Sequence, residues 1–99
     1  MTTLTLTADP IATHVEFSDR AFTVHLGDRR QLTIPIDWYP RLQYATPDER
    51  NHWELLGDGY AIQWAQLDEH IGIEGLLAGQ PSGESQASFE RWLESRRPS

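Results

Sequence analysis

The stretch IQWAQLDEHIGIEGLLAG, residues 62–79, decides how this chain folds. It sets two acids and a histidine, Asp68, Glu69 and His70, between an alternating apolar pattern and a leucine pair. Acid beside imidazole is the raw material of general acid–base catalysis. Consecutive residues, however, point to opposite faces of a strand and diverge by about 100° on a helix. Three neighbours therefore do not converge on one substrate, and no nucleophile or glycine-rich phosphate cradle stands near them. The stretch reads as structure. Asp68 and Glu69 follow Leu67 as a turn or one helical turn, with Asp68 capping the next amides and Glu69 and His70 solvated. Ile71 and Ile73 alternate around Gly72 as a short strand. Gly75 and Gly79 then bracket Leu76 and Leu77.

Working outward, residues 53–64 form a hairpin. Asp58–Gly59 is a favoured two-residue turn. It sets Leu55 opposite Ile62 and Trp53 opposite Trp64, with Glu54 opposite Gln63 on the wet face. Residues 11–36 read as a three-stranded meander. A turn at Asp19–Arg20 pairs Phe17 with Phe22 and Val15 with Val24. On the other face Glu16 meets Thr23 and His14 meets His25. Every apolar residue lands on one side, as register demands where one face is buried. Leu32, Ile34 and Ile36 must share the face of Phe22, Val24 and Leu26, so the second loop holds three or five residues. Pro35 lacks a ladder donor and puts its strand at an edge or its end at a bulge.

Between these blocks, Trp38, Leu42 and Ala45 fall at helical spacing, with Pro40 in the first turn. Thr46 is a candidate N-cap, Pro47 the first helical residue and Glu49 the reciprocal acid of a capping box. Two helices of about two turns each are expected. Thr and Leu alternate over residues 3–7 as a short edge strand, broken by Pro10. QPSGESQ, residues 80–86, has linker composition. Beyond it, Phe89, Trp92 and Leu93 share one helical face. Ser85 or Ser88 caps that helix, Arg96 and Arg97 suit its C-terminal dipole, and Pro98 stops it. The expected fold is α+β. An antiparallel sheet of about five short strands, built as a meander and a hairpin, carries short helices and a C-terminal helix. Residues 1–80 form the core domain. Residues 81–99 form a linker and an amphipathic helix that packs on the core or on a partner.

Composition bounds the function. Ninety-nine residues with four Trp, three Tyr and three Phe make one domain that buries a core unaided. The absence of Cys excludes disulfides and thiolate metal sites. No apolar run approaches the roughly 20 residues of a membrane span, and the N-terminus lacks a signal-peptide pattern, so a cytoplasmic location is expected. The formal charge is −7, with every base an Arg. Codon usage in a G- and C-rich genome accounts for that Arg bias, and interfacial cations are the alternative. A net acidic chain does not draw phosphates at long range, so direct nucleic-acid binding is disfavoured.

Three groups could carry chemistry. His14 and His25, opposed on neighbouring strands with Glu16 on the same face, could hold zinc or copper. Without an obvious further ligand, a polar outer face is the simpler reading, and no metal or other cofactor is assigned. Trp38, Trp53, Trp64 and Trp92 could stack bases or sugars. Trp53 and Trp64 share their face with Leu55 and Ile62, which favours core. The tail stripe of Phe89, Trp92 and Leu93, with Arg96 beside it, is the expected partner-binding surface.

The segment Trp53–Gly79 resembles a family of small bacterial proteins catalogued as a domain of unknown function. The resemblance rests on Trp53, Gly57, Gly59, Ile62, Trp64, Leu67, Asp68 and Glu69, followed by Ile71, Ile73, Glu74, Gly75, Leu76, Leu77 and Gly79. It extends over about residues 11–80, where the upstream strands and IPIDWYPRL, residues 34–42, with its Pro-Arg-Leu turn, also suit the family. It implies a small α+β domain on an antiparallel sheet and an antitoxin-like role beside a second small protein encoded next to it. It implies no catalytic residues. The resulting expectation is a non-enzymatic protein-binding module with a basic partner. Self-association is left open. The alternatives are an acidic phage or mobile-element inhibitor of a basic nucleic-acid-processing protein, and a small metal-binding protein or metalloenzyme using His14, Glu16 and His25.

Overall fold

Apolar alternation builds two antiparallel sheets here rather than one. The computed structural model describes residues 10–96. The strand expected at residues 3–7, and Arg97 and Pro98 at the tail, lie outside the described residues. The first sheet holds β1 (Ala12–Phe17), β2 (Ala21–Leu26) and β3 (Gln31–Pro35) in that order. The second holds β4 (Glu54–Leu56), β5 (Ala61–Trp64) and β6 (Glu69–Gly72). The expectation of about five strands in a single sheet is corrected to six in two among the described residues. The break falls at Pro35, which has no amide proton for a further ladder. The chain turns there into a 3-10 turn, Ile36–Trp38, then α1 (Pro40–Gln43) and α2 (Pro47–Arg50). These helices are one turn each rather than two.

The first-sheet register is the one that the alternation predicts. Phe17 pairs with Phe22, Val15 with Val24, Glu16 with Thr23 and His14 with His25. Phe22 pairs with Ile34 and Val24 with Leu32. The Leu26 N–H donates to the Arg30 carbonyl, which leaves a three-residue loop, residues 27–29. A bulge between Ala12 and His14 turns Ala12 back to the core face, where it is buried. In the second sheet Leu55 pairs with Ile62 and Glu54 with Gln63, as expected. The connection differs. Residues 57–60 form a four-residue loop rather than an Asp58–Gly59 turn, and the Gly59 N–H donates to the Leu56 carbonyl at 2.9 Å.

Both sheets turn their apolar faces into one core. Trp64 sits at its centre with no exposed surface. Its ring meets Phe17 and Phe22 edge-on at 6.2 and 6.4 Å, so β5 is joined to both strands of the first hairpin. Its indole N–H, which would be costly to bury unpaired, donates to the Arg50 carbonyl at 2.9 Å. Leu42, Leu67, Ile73 and Leu76 close the core from the helical side. The sheets also touch through backbone: the Ala12 N–H donates to the Gly59 carbonyl at 2.7 Å. A Cβ on Gly59 would lie 2.2 Å from the Ala12 oxygen, and Gly59 has φ +109°. Glycine is required there on both counts.

The strand expected through Ile73 ends one residue earlier. Ile73 opens α3 (Ile73–Leu77), with Gly72 as its N-cap. Alternation at residues 71 and 73 fits a strand equally well. The helix wins because its i, i+3 spacing buries Ile73 and Leu76 together. The tail forms α4 (Gln86–Ser95), capped by the Ser85 hydroxyl, which accepts from the Ser88 N–H.

Candidate functional site

A groove of about 440 Å³ runs along β6, walled by α1 on one side and by residues 80–84 on the other. Its lining includes Tyr39, Arg41, Asp68, Glu69, His70 and Glu84. Three of these are the trio at the centre of the opening stretch. The backbone sends them in three directions. Asp68 ends the 3-10 turn Ala65–Leu67 in the left-handed region, φ +53°, with its side chain almost fully exposed. It does not cap the next amides as the sequence suggests. Glu69 opens β6 opposite the buried Trp64, on the face that Ile71 shares. His70 pairs with Gln63 on the opposite, wet face. Glu69 is thus half-buried rather than solvated. Its Oε2 accepts the His70 N–H at 3.2 Å. Burial pushes its carboxyl above the usual range, and the Arg41 charge only partly offsets this.

Arg41 organises the walls. Its Nε donates to both Glu84 oxygens, at 3.0 and 3.1 Å, and its Nη2 donates to Glu84 Oε2 at 2.5 Å. Its Nη1 donates to the Leu67 carbonyl at 2.9 Å and the Asp68 carbonyl at 3.3 Å. The guanidinium also lies 5.2 Å from the Trp92 ring centroid. One side chain therefore joins α1, the corner before β6, the 80–84 segment and α4. Hydrogen bonding from Arg41 holds the Glu84 carboxyl below its usual range. Ser88 Oγ donates to Glu84 at 2.7 Å. The Tyr39 hydroxyl donates to the Gln80 carbonyl at 2.9 Å, and burial, with the Glu69 charge nearby, pushes that phenol up to about 12. The residues read as a linker are pinned in place, with the Ser82 N–H donating to the Trp38 carbonyl at 3.0 Å. Sequence reasoning missed Arg41 and Glu84. Arg41 stands in the Pro-Arg-Leu turn of IPIDWYPRL, but the two lie 43 positions apart, and no local spacing relates them.

The other candidates fall elsewhere. His25 Nε2 pairs with Glu16 Oε2, and the His14 ring packs against His25 and edge-on against Trp53 at 5.4 Å. Among the described residues no group of three or more His, Asp or Glu is placed to hold a metal ion. The tail stripe packs on its own chain. Phe89 is buried, stacked on Trp92 at 5.8 Å and set against Tyr44 at 5.4 Å. Arg96 forks onto Glu49, with Nη2 to Oε1 at 2.7 Å and Nη1 to Oε2 at 3.0 Å. Of the four residues expected to meet a partner, Phe89 and Arg96 are occupied internally. Trp92 and Leu93 are partly exposed.

A family model described as a protein of unknown function, DUF2442, matches residues 12–82. The chain belongs to the DUF2442 family. The match covers both sheets, α1 to α3 and the start of the groove's outer wall, and ends before α4. Two solved structures share the fold. One is the crystal structure of a protein of unknown function from Rhodospirillum rubrum, with TM-score 0.67 and 25% identity over 83% of this chain and 99% of that chain. The other is the solution NMR structure of the uncharacterized protein CV0863 from Chromobacterium violaceum. It has TM-score 0.64 and 21% identity over 90% of this chain and 79% of that chain. No curated protein matches the chain. Among the described residues no helix is long and apolar enough to cross a membrane.

Proposed function

We propose that this DUF2442 protein is a non-enzymatic binding module that captures a basic partner protein. We further propose that it plays an antitoxin-like role in the cytoplasm toward the product of an adjacent gene. The observation that carries the reading is the charge of the β6 groove. Asp68, Glu69 and Glu84 line it; of the cations near them, Arg41 is engaged by Glu84 and two backbone carbonyls, and Arg91 acts on Glu84 from α4. Complementary charge of this kind speeds docking and selects a basic partner. The chain's net charge of −7 acts in the same sense. Binding is favoured over catalysis because Glu69 and His70 project to opposite faces of β6, so no carboxylate–imidazole pair is aimed at one reacting atom. Arg41, Tyr39 and Ser88 are likewise tied into internal hydrogen bonds.

The test is co-expression with the product of the adjacent gene. The expected result is relief of growth arrest and a stoichiometric complex whose affinity falls with salt. If the neighbour causes no growth arrest, or arrest persists and no complex forms, the antitoxin-like reading is lost.

A further inference from the structure

Strand β6 lies at one side of the second sheet, next to β5. The Ile73 N–H donates to the Tyr60 carbonyl at 2.9 Å. Antiparallel ladders alternate bonded and non-bonded pairs, so residues 71 and 69 are turned toward β5 as well. The N–H and C=O groups of His70 and Gly72 must then point away from β5, along the side of β6 that pairs with no strand among the described residues. The His70 N–H confirms this orientation, because it bonds outward to the Glu69 carboxylate rather than across the ladder. Both residues line the groove. Edge groups with no ladder partner among the described residues are a template for another strand.

We propose that the groove between β6 and residues 80–84 takes an extended, basic segment of a partner protein, added as a strand along His70 and Gly72. This rests on the protein-binding reading above and gives it an address. Strand addition draws affinity from main-chain bonds and specificity from alternate side chains. A residue paired across from Glu69 shares the face of its carboxylate. Asp68 stands beside it, almost fully exposed and 3.9 Å from Arg41. Arg or Lys is the side chain that this position selects. The Glu69–His70 backbone contact is replaced on docking, which frees the carboxylate for the incoming cation.

Gly72 makes the idea testable. Its φ of −79° and ψ of 141° suit proline, it precedes a helix, and a Cβ there meets nothing within 4 Å. Gly72→Pro therefore deletes one outward donor and keeps the fold, while Gly72→Ala keeps the donor. The probe is a blocked seven-residue peptide alternating arginine and threonine, titrated into isotope-labelled full-length chain. A counterpart with glutamate in place of arginine serves as the control. The amides of His70 and Gly72 are expected to shift and to exchange more slowly with the basic peptide alone. Gly72→Pro should weaken binding about three- to tenfold, the loss of one hydrogen bond, and Gly72→Ala less than about twofold. Glu69→Gln should weaken it and flatten its salt dependence. The proposal is overturned by no binding of the basic peptide, by shifts mapping away from β6, or by Gly72→Pro binding as tightly as Gly72→Ala. If the product of the adjacent gene binds Gly72→Pro unchanged, strand addition fails and the binding reading survives. If the peptide docks on β6 while that product does not bind, strand addition survives and the antitoxin-like role fails.

Discussion

At the scale of single residues, Gly59 is constrained by backbone geometry and Glu69 by burial. Gly59 combines a left-handed φ with a carbonyl that receives the Ala12 N–H. Gly59→Ala is expected to cost about 3 kcal/mol or more in chemical denaturation, from strain and the clash at the Ala12 oxygen together. An unchanged midpoint would show that the sheets are not joined there. Glu69 acts in the opposite sense. Its carboxyl is raised by burial, so the folded state holds that proton more tightly than the unfolded chain does. Stability is then greatest below the ordinary carboxylate range and falls as pH rises through the raised value. Glu69→Gln is expected to raise stability at neutral pH by roughly 0.5 kcal/mol and to remove that part of the pH dependence. Thermal melts across the acid range would check both effects.

At the scale of elements, α2 shows how one acid serves two helices. Glu49 Oε1 accepts the Thr46 N–H at 2.9 Å and Thr46 Oγ1 accepts the Glu49 N–H at 3.1 Å, completing the capping box that the sequence TPDE predicts. The same carboxylate receives the Arg96 fork from the end of α4. Hydrogen bonding from Arg96 is the main cause that holds its pKa down, to about 2 from the ordinary 4.5. The folded state therefore favours the ionised form. Its contribution is fully present above about 4.5 and is lost as pH falls through about 2. Glu49→Gln is expected to cost about 1–2 kcal/mol near neutral pH and to weaken the acid dependence of unfolding. Arg41 is the stronger case, since it satisfies the Leu67 and Asp68 carbonyls as well as the half-buried Glu84. Arg41→Met is expected to cost about 2–3 kcal/mol, and a double-mutant cycle with Glu84→Gln should show coupling between the two positions.

At the scale of the whole molecule, α4 belongs to the core's stability even though the family match ends before it. Phe89 is buried, Trp92 packs on the core, and Arg41 and Arg96 flank the Trp92 ring at 5.2 and 4.6 Å. Removing residues 81–99 is expected to cost about 2–4 kcal/mol, the burial of two aromatic side chains, and to lower the unfolding midpoint accordingly. A truncated chain that melted like the full one would make the tail a free docking element instead. The acid-lined groove also depends on this packing, because its outer wall is the segment that α4 and Arg41 hold against α1.

The local features legible in residue order are those that a period of two, a tight turn or a cap can dictate. The pairings Phe17–Phe22, Val15–Val24 and Leu55–Ile62, and the Thr46–Glu49 box, follow from side-chain alternation and short-range hydrogen bonding alone. Ile73 could not be assigned that way, because strand and helix bury it equally well until Leu76 finds the same core. The packing of the two sheets on each other was equally hidden. It depends on Trp64 meeting Phe17 and Phe22 across the core, contacts between residues far apart in the chain. Arg41 and Glu84 meet for the same reason. Short-range physics sets which face each strand presents, and only the closing of the core decides which of those faces, and which distant charges, come together.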